Sequence, residues 1–265
     1  MTKRSLVIAA AINDEQILAT TLALSPDLKN GSAELIPVRG ALTASTAYNE
    51  VLENTSSDLV VFVHQDVYLP TGWVAQVLSE VDRLDSQDPC WAVCGVYGVA
   101  ADGQHLGRLW SGDQRSELRG SGGGSGEVAS LDEVVLILRT DVGLRFDQRL
   151  PHFHLYGTDI VQIAASQRRT SYVVDAPIVH NTVPVASLGG GFTAGYRFLQ
   201  QKWATRLPIA TSMTTLTRYG LPLIRARAAH WWHFGRPTRL INRVPRLIDV
   251  VGLAKRVGYE QEVHD

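Results

Sequence analysis

The sequence predicts an α/β fold with a central, mostly parallel sheet. Short apolar runs such as Leu6–Ile12 and Leu59–Val63 alternate with stretches of helical periodicity. Continuous Val, Ile and Leu runs are typical of strands buried on both faces of a parallel sheet. The composition, 45% hydrophobic and 19% charged, is that of a globular protein rather than a disordered one. A chain of 265 residues holds one large domain, or one domain with an extension.

The first half of the chain follows a β-α-β-α-β order. Leu6–Ile12 is a buried strand, and the polar turn after it begins a helix that extends to residue 24. Residues 34–38 form a second strand, and 43–54 a helix with an apolar stripe. Leu59–Val63 is the third strand. We therefore expect these strands to lie side by side and parallel.

The later elements are predicted by the same patterns. Pro70-Thr71-Gly72-Trp73 opens a helix that runs to about Leu84 with apolar residues at helical spacing, and 91–99 is an apolar strand that contains two glycines. Thr158 is a plausible N-cap for a helix at 158–165. The remaining predicted strands are 134–138, 171–174 and 178–181.

The net charge of −1 conceals a basic C-terminal region. Residues 197–256 contain twelve Lys or Arg and one acidic residue, Asp249, so this region carries a positive field. One interpretation is an interfacial element that meets anionic headgroups or a lipid-linked acceptor. The alternatives are packing helices with solvated or paired arginines, and self-association. We expect no nucleic-acid partner, since no recognition motif accompanies the charge.

Compartment signals point to the cytoplasm. Cys90 and Cys94 lie in an apolar stretch and are expected to be reduced thiols. The apolar N-terminal run is short and ends in Asn13-Asp14-Glu15, which favours a first strand over a signal peptide. No run approaches the roughly 18 apolar residues of a transmembrane helix. A cytoplasmic protein, with a peripheral position at the inner face of the membrane as an option, is the resulting expectation.

Three polar clusters each follow an apolar segment. His64 and Asp66 follow the third strand and, two positions apart, point to the same side. An imidazole and a carboxylate at a strand's carboxyl end, where α/β folds bind ligands, suit Mn²⁺, Mg²⁺ or Zn²⁺. The other two clusters are His154 with Tyr156 and Asp159, and His180 with Asn181.

Each cluster also has an ordinary explanation. A single Asp at a helix start, such as Asp159, is commonly a cap or a dipole partner. A single His at a strand end is commonly structural. Their co-occurrence favours a functional site, because buried charges cost free energy unless they are paired.

The order of these motifs resembles that of family-2-type glycosyltransferases. More narrowly, it resembles bacterial glycosyltransferase-like proteins that carry His-Gln-Asp in place of the usual Asp-x-Asp. The resemblance covers roughly residues 5–205. The matching segments are 64–67, Trp73, Gly95 to Gly98, Phe146-Asp147, 153–159 and 179–181.

The resemblance implies the GT-A fold, a Rossmann-like nucleotide-diphospho-sugar transferase sandwich, as a catalytic domain at residues 1–205. A basic, mainly helical extension would occupy 206–265. It also implies a divalent metal, Mn²⁺ or Mg²⁺, held by Asp66, His180 and His64. Because His64 replaces the family's first Asp, this site carries one negative charge fewer.

The resemblance further assigns substrate roles. Asp159 occupies the position of the base that inverting relatives use, while His154 and Tyr156 would line the donor or acceptor pocket. A nucleotide is expected over the carboxyl ends of the first strands, near Asn13 and Arg39. Asn49, on the next helix, completes the predicted nucleotide-binding set, although Asn13 and Arg39 are equally well explained as surface turn residues.

The predicted activity is inverting, metal-dependent transfer of a sugar from a nucleotide-sugar donor. The hydroxyl acceptor would be a glycan, a lipid-linked molecule or a small molecule. A nucleotidyltransferase is the enzymatic alternative, but it would be expected to carry a Gly-rich basic loop after strand one, which 9–13 lacks. A non-catalytic relative that binds a nucleotide or glycan stays open because of His64.

Overall fold

A computed structural model describes residues 4–183, 191–225, 228 and 245–260. Its strands, numbered in chain order, are β1 (Leu6–Ile12), β2 (Glu34–Arg39), β3 (Leu59–Val63), β4 (Val67–Tyr68), β5 (Trp91–Gly95), β6 (Tyr97–Val99), β7 (His105–Ser111), β8 (Ser116–Arg119), β9 (Gly126–Glu127), β10 (Ser130–Leu131), β11 (Val135–Arg139), β12 (Thr170–Val173), β13 (Val179–His180), β14 (Ile209–Ala210) and β15 (Thr215–Leu216). The α-helices within the described residues are α1 (Glu15–Thr20), α2 (Pro26–Lys29), α3 (Ala44–Asn54), α4 (Trp73–Gln87), α5 (Tyr156–Ser166), α6 (Phe192–Lys202) and α7 (Val250–Arg256).

The core of the molecule is a seven-stranded sheet in the order β2-β1-β3-β11-β5-β12-β9. Strands β1, β2 and β3 are parallel to one another, and β5 is parallel to β12. Strand β11 runs antiparallel between β3 and β5, and β9 runs antiparallel to β12. Five strands therefore share one direction, which confirms the predicted α/β class and the mostly parallel central sheet.

A second sheet lies at the end of the first, in the order β10-β6-β7-β13-β4, with β8 paired to β7. The strand predicted at 91–99 is wrong as a single element, because it divides between the two sheets. Its first part, β5, belongs to the central sheet and its second part, β6, to the second sheet. At Gly95 a Cβ atom would lie 2.7 Å from the carbonyl oxygen of Val135, so the chain passes closer to its neighbour than any side chain allows.

Helix boundaries differ from the predictions where capping decides them. The helix predicted at 13–24 is short: Asp14 caps α1, which ends at Thr20, and a 3₁₀ turn follows at 22–24. The N-cap prediction for Thr158 is wrong, since α5 begins two residues earlier, after Leu155 in the left-handed region. Gly157, inside α5, approaches the carbonyl of Leu131 so closely that an added Cβ would lie 2.5 Å from that oxygen. This contact fixes the start of α5 against β10.

Buried side chains cover both faces of the central sheet. One cluster packs α3, α5 and α6 onto one face, and includes Tyr48, Phe62 and Phe146. The other packs α1 and α4 onto the opposite face, around Trp73 and Trp91. Three layers, helix-sheet-helix, result, as expected for a sheet whose central strands are continuously apolar.

The C-terminal region returns to the second sheet. Val250, Leu253 and Ala254 of α7 are buried against Tyr68 and Val179 of β4 and β13. Earlier in the region, the β14-β15 hairpin contributes Ile209 and Leu216 to the main core. The domain limits 1–205 and 206–265 stay predictions, but the described parts of the second range pack against the first. Much of the basic segment, at 226–227 and 229–244, lies outside the described residues. Among the residues that the structure describes, no helix is long and apolar enough to cross a membrane.

Candidate metal and substrate site

The His64-Gln65-Asp66 turn connects the two sheets. Strand β3 is buried along its whole length and ends at Val63. The His64 backbone N–H then donates to the Val134 carbonyl at 3.2 Å, which prolongs the pairing with the segment leading into β11. The chain turns and enters β4 at Val67, whose N–H donates to the His64 carbonyl at 3.1 Å. The two predicted ligands therefore sit at the carboxyl end of a central strand, where α/β folds bind ligands.

His180 reaches this turn through strand pairing. Strand β13 is antiparallel to β4, and His180 lies opposite Val67. That register places His180 Nε2 3.3 Å from Asp66 Oδ1. One ligand atom from each of His64, Asp66 and His180 lies within 4.8 Å of the other two. The structure thus brings together the three side chains predicted as metal ligands.

The donor set of this cluster fits a divalent transition metal. Two imidazoles and one carboxylate are common ligands, and ligands held at about 2.0–2.2 Å from one ion lie about 3–4 Å apart. The observed spacing needs only small side-chain movements to reach that value. His64, Asp66 and His180 therefore form a possible metal site.

Burial and charge set the protonation of the cluster. Burial lowers the pKa of His64, and the neighbouring His180 adds to this effect, so the His64 ring is neutral and able to ligate. Burial also works against a charged His180, but the carboxylate of Asp66 outweighs it and raises the pKa of His180. Burial would raise the pKa of Asp66, yet the interactions with His180, His64 and Arg246 hold it well below its usual value. The carboxylate is therefore ionised and shared among positive partners.

A cleft of about 230 Å³ opens beside the cluster. Its walls come from the ends of β1 and β2, from α3 and from the start of α5, and they are largely apolar and aromatic. The main lining side chains beside His64 and Asp66 are Asn13, Val38, Tyr48, Phe153 and Tyr156. A cleft with aromatic walls and a few polar groups at one end is typical of a small-molecule site.

Aromatic packing holds the cleft wall in place. Tyr48 stacks on Phe62 of β3 with ring centroids 4.3 Å apart, and its centroid lies 5.5 Å from that of Tyr156. The Tyr156 hydroxyl lies 3.1 Å from His64 Nε2 and donates to the Glu133 carbonyl at 3.1 Å. Burial raises the pKa of Tyr48 to about 12, so the Tyr48 hydroxyl stays protonated. Tyr156, predicted as a pocket residue, therefore lines the cleft and orients His64.

Asn13 lies in the cleft and is fixed by Gln65. The Gln65 side-chain oxygen accepts the backbone N–H groups of Asn13 and Asp14 at 3.0 and 3.1 Å, and its amide donates to the Asn13 side chain. This link joins the end of β1 to the metal-site turn. Gln65 was not predicted as a site residue, and its role depends on a contact across 52 positions of sequence.

The other two predicted nucleotide-binding residues lie outside the lining of this cleft. Arg39 pairs with Glu15 at 2.6 Å on the surface, and both side chains are mostly exposed. Asn49 is buried, and its amide bonds both ways with the Phe146 backbone, donating at 2.9 Å and accepting at 2.9 Å. Asn49 thereby ties α3 to the segment before α5. Nucleotide contact stays a prediction for both residues.

Asp159, the predicted base, lies in the first turn of α5 as expected, but only 1% of it is exposed. Lys202 Nζ donates to its Oδ2 at 2.8 Å, and Trp203 Nε1 donates to its Oδ1 at 2.8 Å. Lys202 also pairs with Asp147 at 2.8 Å. Burial raises the pKa of Asp159 against the opposing pull of Lys202. The catalytic role of Asp159 stays a prediction, and its carboxylate is anchored to the end of α6.

The segment before α5 has an unusual backbone. His152 and Leu155 both have positive φ, 64° and 65°, in the left-handed region that side chains seldom adopt. The His152 carbonyl accepts the N–H of Ala44 at 3.1 Å, which holds the segment over the start of α3. Phe153 faces the cleft, whereas His154 packs on Phe192 with ring centroids 5.7 Å apart. His154, predicted for the pocket, is thus adjacent to the cleft lining rather than part of it.

Two further residues at the site were not predicted. Arg246 reaches Asp66 from the C-terminal region, with Nη1 2.9 Å from Oδ2. Glu133 lies two residues before β11, and its carbonyl accepts the Tyr156 hydroxyl at 3.1 Å. Burial, with the Asp132 charge adding to it, raises the pKa of its side chain to about 8. No local pattern marks either residue, since Arg246 is one of many arginines in its region and Glu133 belongs to an ordinary Asp132-Glu133 pair before a strand.

We expect Lys202→Met to destabilise the fold, because it leaves the buried Asp159 carboxylate without the cation that it shares with the partly exposed Asp147. Removing one partner of a buried pair typically costs about 3–5 kcal/mol of unfolding free energy. Urea denaturation measures this loss. A protonated Asp159 needs no partner, so the loss should shrink as the pH falls from 8 to 5.

Lys255→Met is the matched control, since Lys255 is exposed on α7. Surface changes of this kind usually alter stability by less than about 0.5 kcal/mol. Equal effects of the two substitutions, or a loss at Lys202 that does not depend on pH, would contradict the role given to this network.

Comparisons with known proteins give the following likenesses. No family model matches the chain. Over 142 residues it is 26% identical to the ATP synthase subunits region ORF 6 protein of Fuscovulum blasticum. This match covers 50% of the chain, and the chain spans about half (55%) of the length of that curated relative.

Several solved structures are similar at low sequence identity. Glucosyl-3-phosphoglycerate synthase from Mycobacterium tuberculosis, in complex with Mn²⁺, UDP-glucose and phosphoglyceric acid, gives a TM-score of 0.47 at 14% identity, over 80% of this chain and 82% of that one. GalNAc-T7 with UDP, GalNAc and Mn²⁺ gives 0.46 at 9% identity, over 92% and 59%. The mannosyltransferase PcManGT from Pyrobaculum calidifontis, with GDP-Man and Mn²⁺, gives 0.43 at 12% identity, over 97% and 81%.

Proposed function

We propose that this chain is a GT-A-type glycosyltransferase that moves a sugar from a nucleotide-sugar donor to a hydroxyl acceptor with inversion. The observation that carries the proposal is the His64, Asp66 and His180 cluster at the mouth of an aromatic cleft. The cluster lies at the carboxyl end of the central strand β3, where α/β folds bind nucleotides. The motif order shared with family-2-type glycosyltransferases supports the same proposal.

The chemistry of sugar transfer accounts for the cluster. The acceptor oxygen attacks the anomeric carbon, the bond from that carbon to the diphosphate oxygen breaks, and a base removes the acceptor proton. Negative charge develops on the departing nucleoside diphosphate. Mn²⁺ or Mg²⁺ held by His64, Asp66 and His180 would offset that charge as a Lewis acid. The neutral His64 ring and the ionised Asp66 are in the protonation states that ligation requires. His180, whose pKa Asp66 raises, would release its proton to solvent when the metal binds.

The cleft supports a donor site next to the cluster. Asn13 is held in the cleft by Gln65, which bonds its backbone N–H and side-chain oxygen and leaves its side-chain NH₂ for a ribose or base. Tyr48 lines the same space. Arg39 and Asn49 complete the proposed nucleotide-binding set, with Arg39 free to reach a ligand because its pairing with Glu15 is exposed. His154 and Tyr156 border the proposed pocket for the sugar or acceptor.

Asp159 is proposed as the base. It lies one turn beyond Tyr156 on α5, and burial raises its pKa, which makes its carboxylate a stronger proton acceptor. Proton removal requires the carboxylate to exchange part of its bonding with Lys202 and Trp203 for the acceptor hydroxyl. In this proposal Lys202 and Trp203 position the base.

Calorimetric titration with nucleotides tests the proposed donor site. UDP and GDP should bind in the presence of Mn²⁺, and binding should weaken strongly when the metal is removed with EDTA. Asp66→Asn should weaken Mn²⁺ binding by at least about tenfold, since it removes the anionic ligand. Asp102→Asn, in an exposed turn, is the control and should leave it unchanged. Indifference to every nucleotide, with and without Mn²⁺, would overturn the proposal and exclude the nucleotidyltransferase alternative as well.

Asp159→Asn tests the base. Transfer should fall by about 10²–10⁴-fold, the usual contribution of a positioned base, while donor binding stays within about twofold. Transfer is measured as nucleoside diphosphate release from the donor that binds in the titration.

Asp147→Asn is the matched control, because it removes the other carboxylate on Lys202 and leaves Asp159 in place. Equal losses of activity in the two variants would show that Asp159 serves to anchor Lys202. Loss of donor binding in Asp159→Asn alone would show that the base assignment is wrong.

Contact with the inner face of a membrane, and thus a lipid-linked acceptor, is proposed from an exposed patch at residues 218–225. Tyr219, Leu221 and Ile224 are 80%, 58% and 62% exposed, and Arg218 and Arg225 flank them. Apolar side chains between basic ones are typical of interfacial segments.

The full chain should sediment with vesicles that contain phosphatidylglycerol, and the double substitution Leu221→Ser with Ile224→Ser should reduce this sedimentation. Equal retention of the double variant, or of wild type on neutral vesicles, would contradict the proposal; Met213→Ser, at another exposed apolar position, is the control.

A further inference from the structure

The C-terminal region places a guanidinium inside the metal cluster. Arg246 Nη1 lies 2.9 Å from Asp66 Oδ2 and also donates to the Asn181 carbonyl. The other oxygen of the same carboxylate, Oδ1, faces His180 Nε2 at 3.3 Å. Arg246 therefore neutralises the one acidic ligand of the cluster from the side opposite His180.

The backbone holds Arg246 in this place. The Asn181 side chain bonds both ways with Leu247, accepting its N–H at 2.7 Å and donating to its carbonyl at 3.1 Å. Asn181 is itself buried, and its N–H donates to the Asp66 carbonyl at 2.8 Å. Arg246 is thus linked to the turn that carries Asp66 by backbone bonds as well as by its own side chain.

Contacts further along the chain anchor the same segment. The α7 helix begins at Val250, and Val250 and Leu253 are buried against Tyr68 and Val179. After α7, Tyr259 donates to Glu117 at 2.7 Å, and Glu260 accepts the Thr71 N–H at 2.9 Å. The Arg246 side chain itself is 31% exposed, so a ligand in solvent can reach its guanidinium.

A divalent cation on His64, Asp66 and His180 would change the partner that Arg246 prefers. The cation takes up the charge of Asp66 and repels a guanidinium beside it. A diphosphate bound to that cation would then be the nearest anion. Arginine is well suited to it, because the planar guanidinium binds phosphate oxygens through two parallel hydrogen bonds.

We propose that Arg246 is a donor-binding residue with two positions. Without a cation it pairs with Asp66, and with a cation and a nucleoside diphosphate it binds the diphosphate. This inference rests on the proposed function and adds to it that diphosphate recognition comes partly from the C-terminal region. In this proposal the segment that carries Arg246 is therefore part of the active site.

The two positions predict opposite effects of one substitution. In Arg246→Ala the competitor for Asp66 is gone, so Mn²⁺ alone should bind more tightly, by about three- to tenfold. In saturating Mn²⁺, inorganic pyrophosphate and UDP or GDP should bind at least about tenfold more weakly, the usual loss for a charge-assisted hydrogen bond. Arg246→Lys should change both affinities in the same directions but less, since it keeps the charge without the fork.

Isothermal titration calorimetry measures both affinities, and thermal unfolding confirms that each variant is folded. Arg256→Ala is the control, because Arg256 is exposed on α7 and pairs with Asp249 at 3.7 Å. Weaker Mn²⁺ binding in Arg246→Ala, or unchanged pyrophosphate binding, would overturn the inference while leaving the proposed function intact. Failure of the wild-type protein to bind any diphosphate with Mn²⁺ would overturn both the inference and the proposed function. If Mn²⁺ alone still bound tightly, the failure would lie in the donor site and not in the metal site.

Discussion

The site depends on one pairing between two very short strands. Strand β13 lies antiparallel to β4 with His180 opposite Val67, and this register alone carries His180 to Asp66. Without it, His64 and Asp66 would be two polar residues at the end of a strand. The pairing is supported from both sides, because β13 is also parallel to β7 and α7 packs on Tyr68 and Val179. The geometry of the cluster is therefore a property of the second sheet, while its position at the cleft is a property of the first.

Charge balance explains why the surroundings of the site are arranged as they are. An ionised Asp66 in a mostly buried turn needs positive partners, and His180 and Arg246 supply them. The buried Asp159, 93 positions further along the sequence, also needs a positive partner. Lys202 supplies it, and Trp203 donates a second hydrogen bond to the carboxylate. In both cases one cationic partner, Arg246 or Lys202, comes from the basic C-terminal region at 197–256. The basic character of that part, which the net charge conceals, is thus partly accounted for by the carboxylates of Asp66 and Asp159.

Local patterns were sufficient to predict most strands of the central sheet and the three side chains of the possible metal site, but not the second sheet or the contacts that organise both. Continuous apolar runs marked β1 and β3, and the polar residues that follow them marked the carboxyl edge of the sheet. The division of 91–99 between two sheets was not predictable from local patterns, since it depends on which strands β5 and β6 pair with. The side-chain amides of Asn49 and Gln65 form hydrogen bonds with backbone groups 97 and 52 positions away, which no local spacing indicates. The sequence does not distinguish Arg246 from the other arginines of the C-terminal region, and its contact with Asp66 follows from the fold.

The central claim is that His64, Asp66 and His180 hold a divalent cation that faces the donor's diphosphate. Pulsed electron paramagnetic resonance of Mn²⁺ bound to the protein with UDP or GDP tests this most directly. Two histidine nitrogens and at least one phosphorus nucleus should couple to the manganese spin, and the nitrogen couplings should fall to one in His180→Gln. Coupling to phosphorus without any histidine nitrogen would contradict the claim, because the cation would then reach the protein only through the nucleotide.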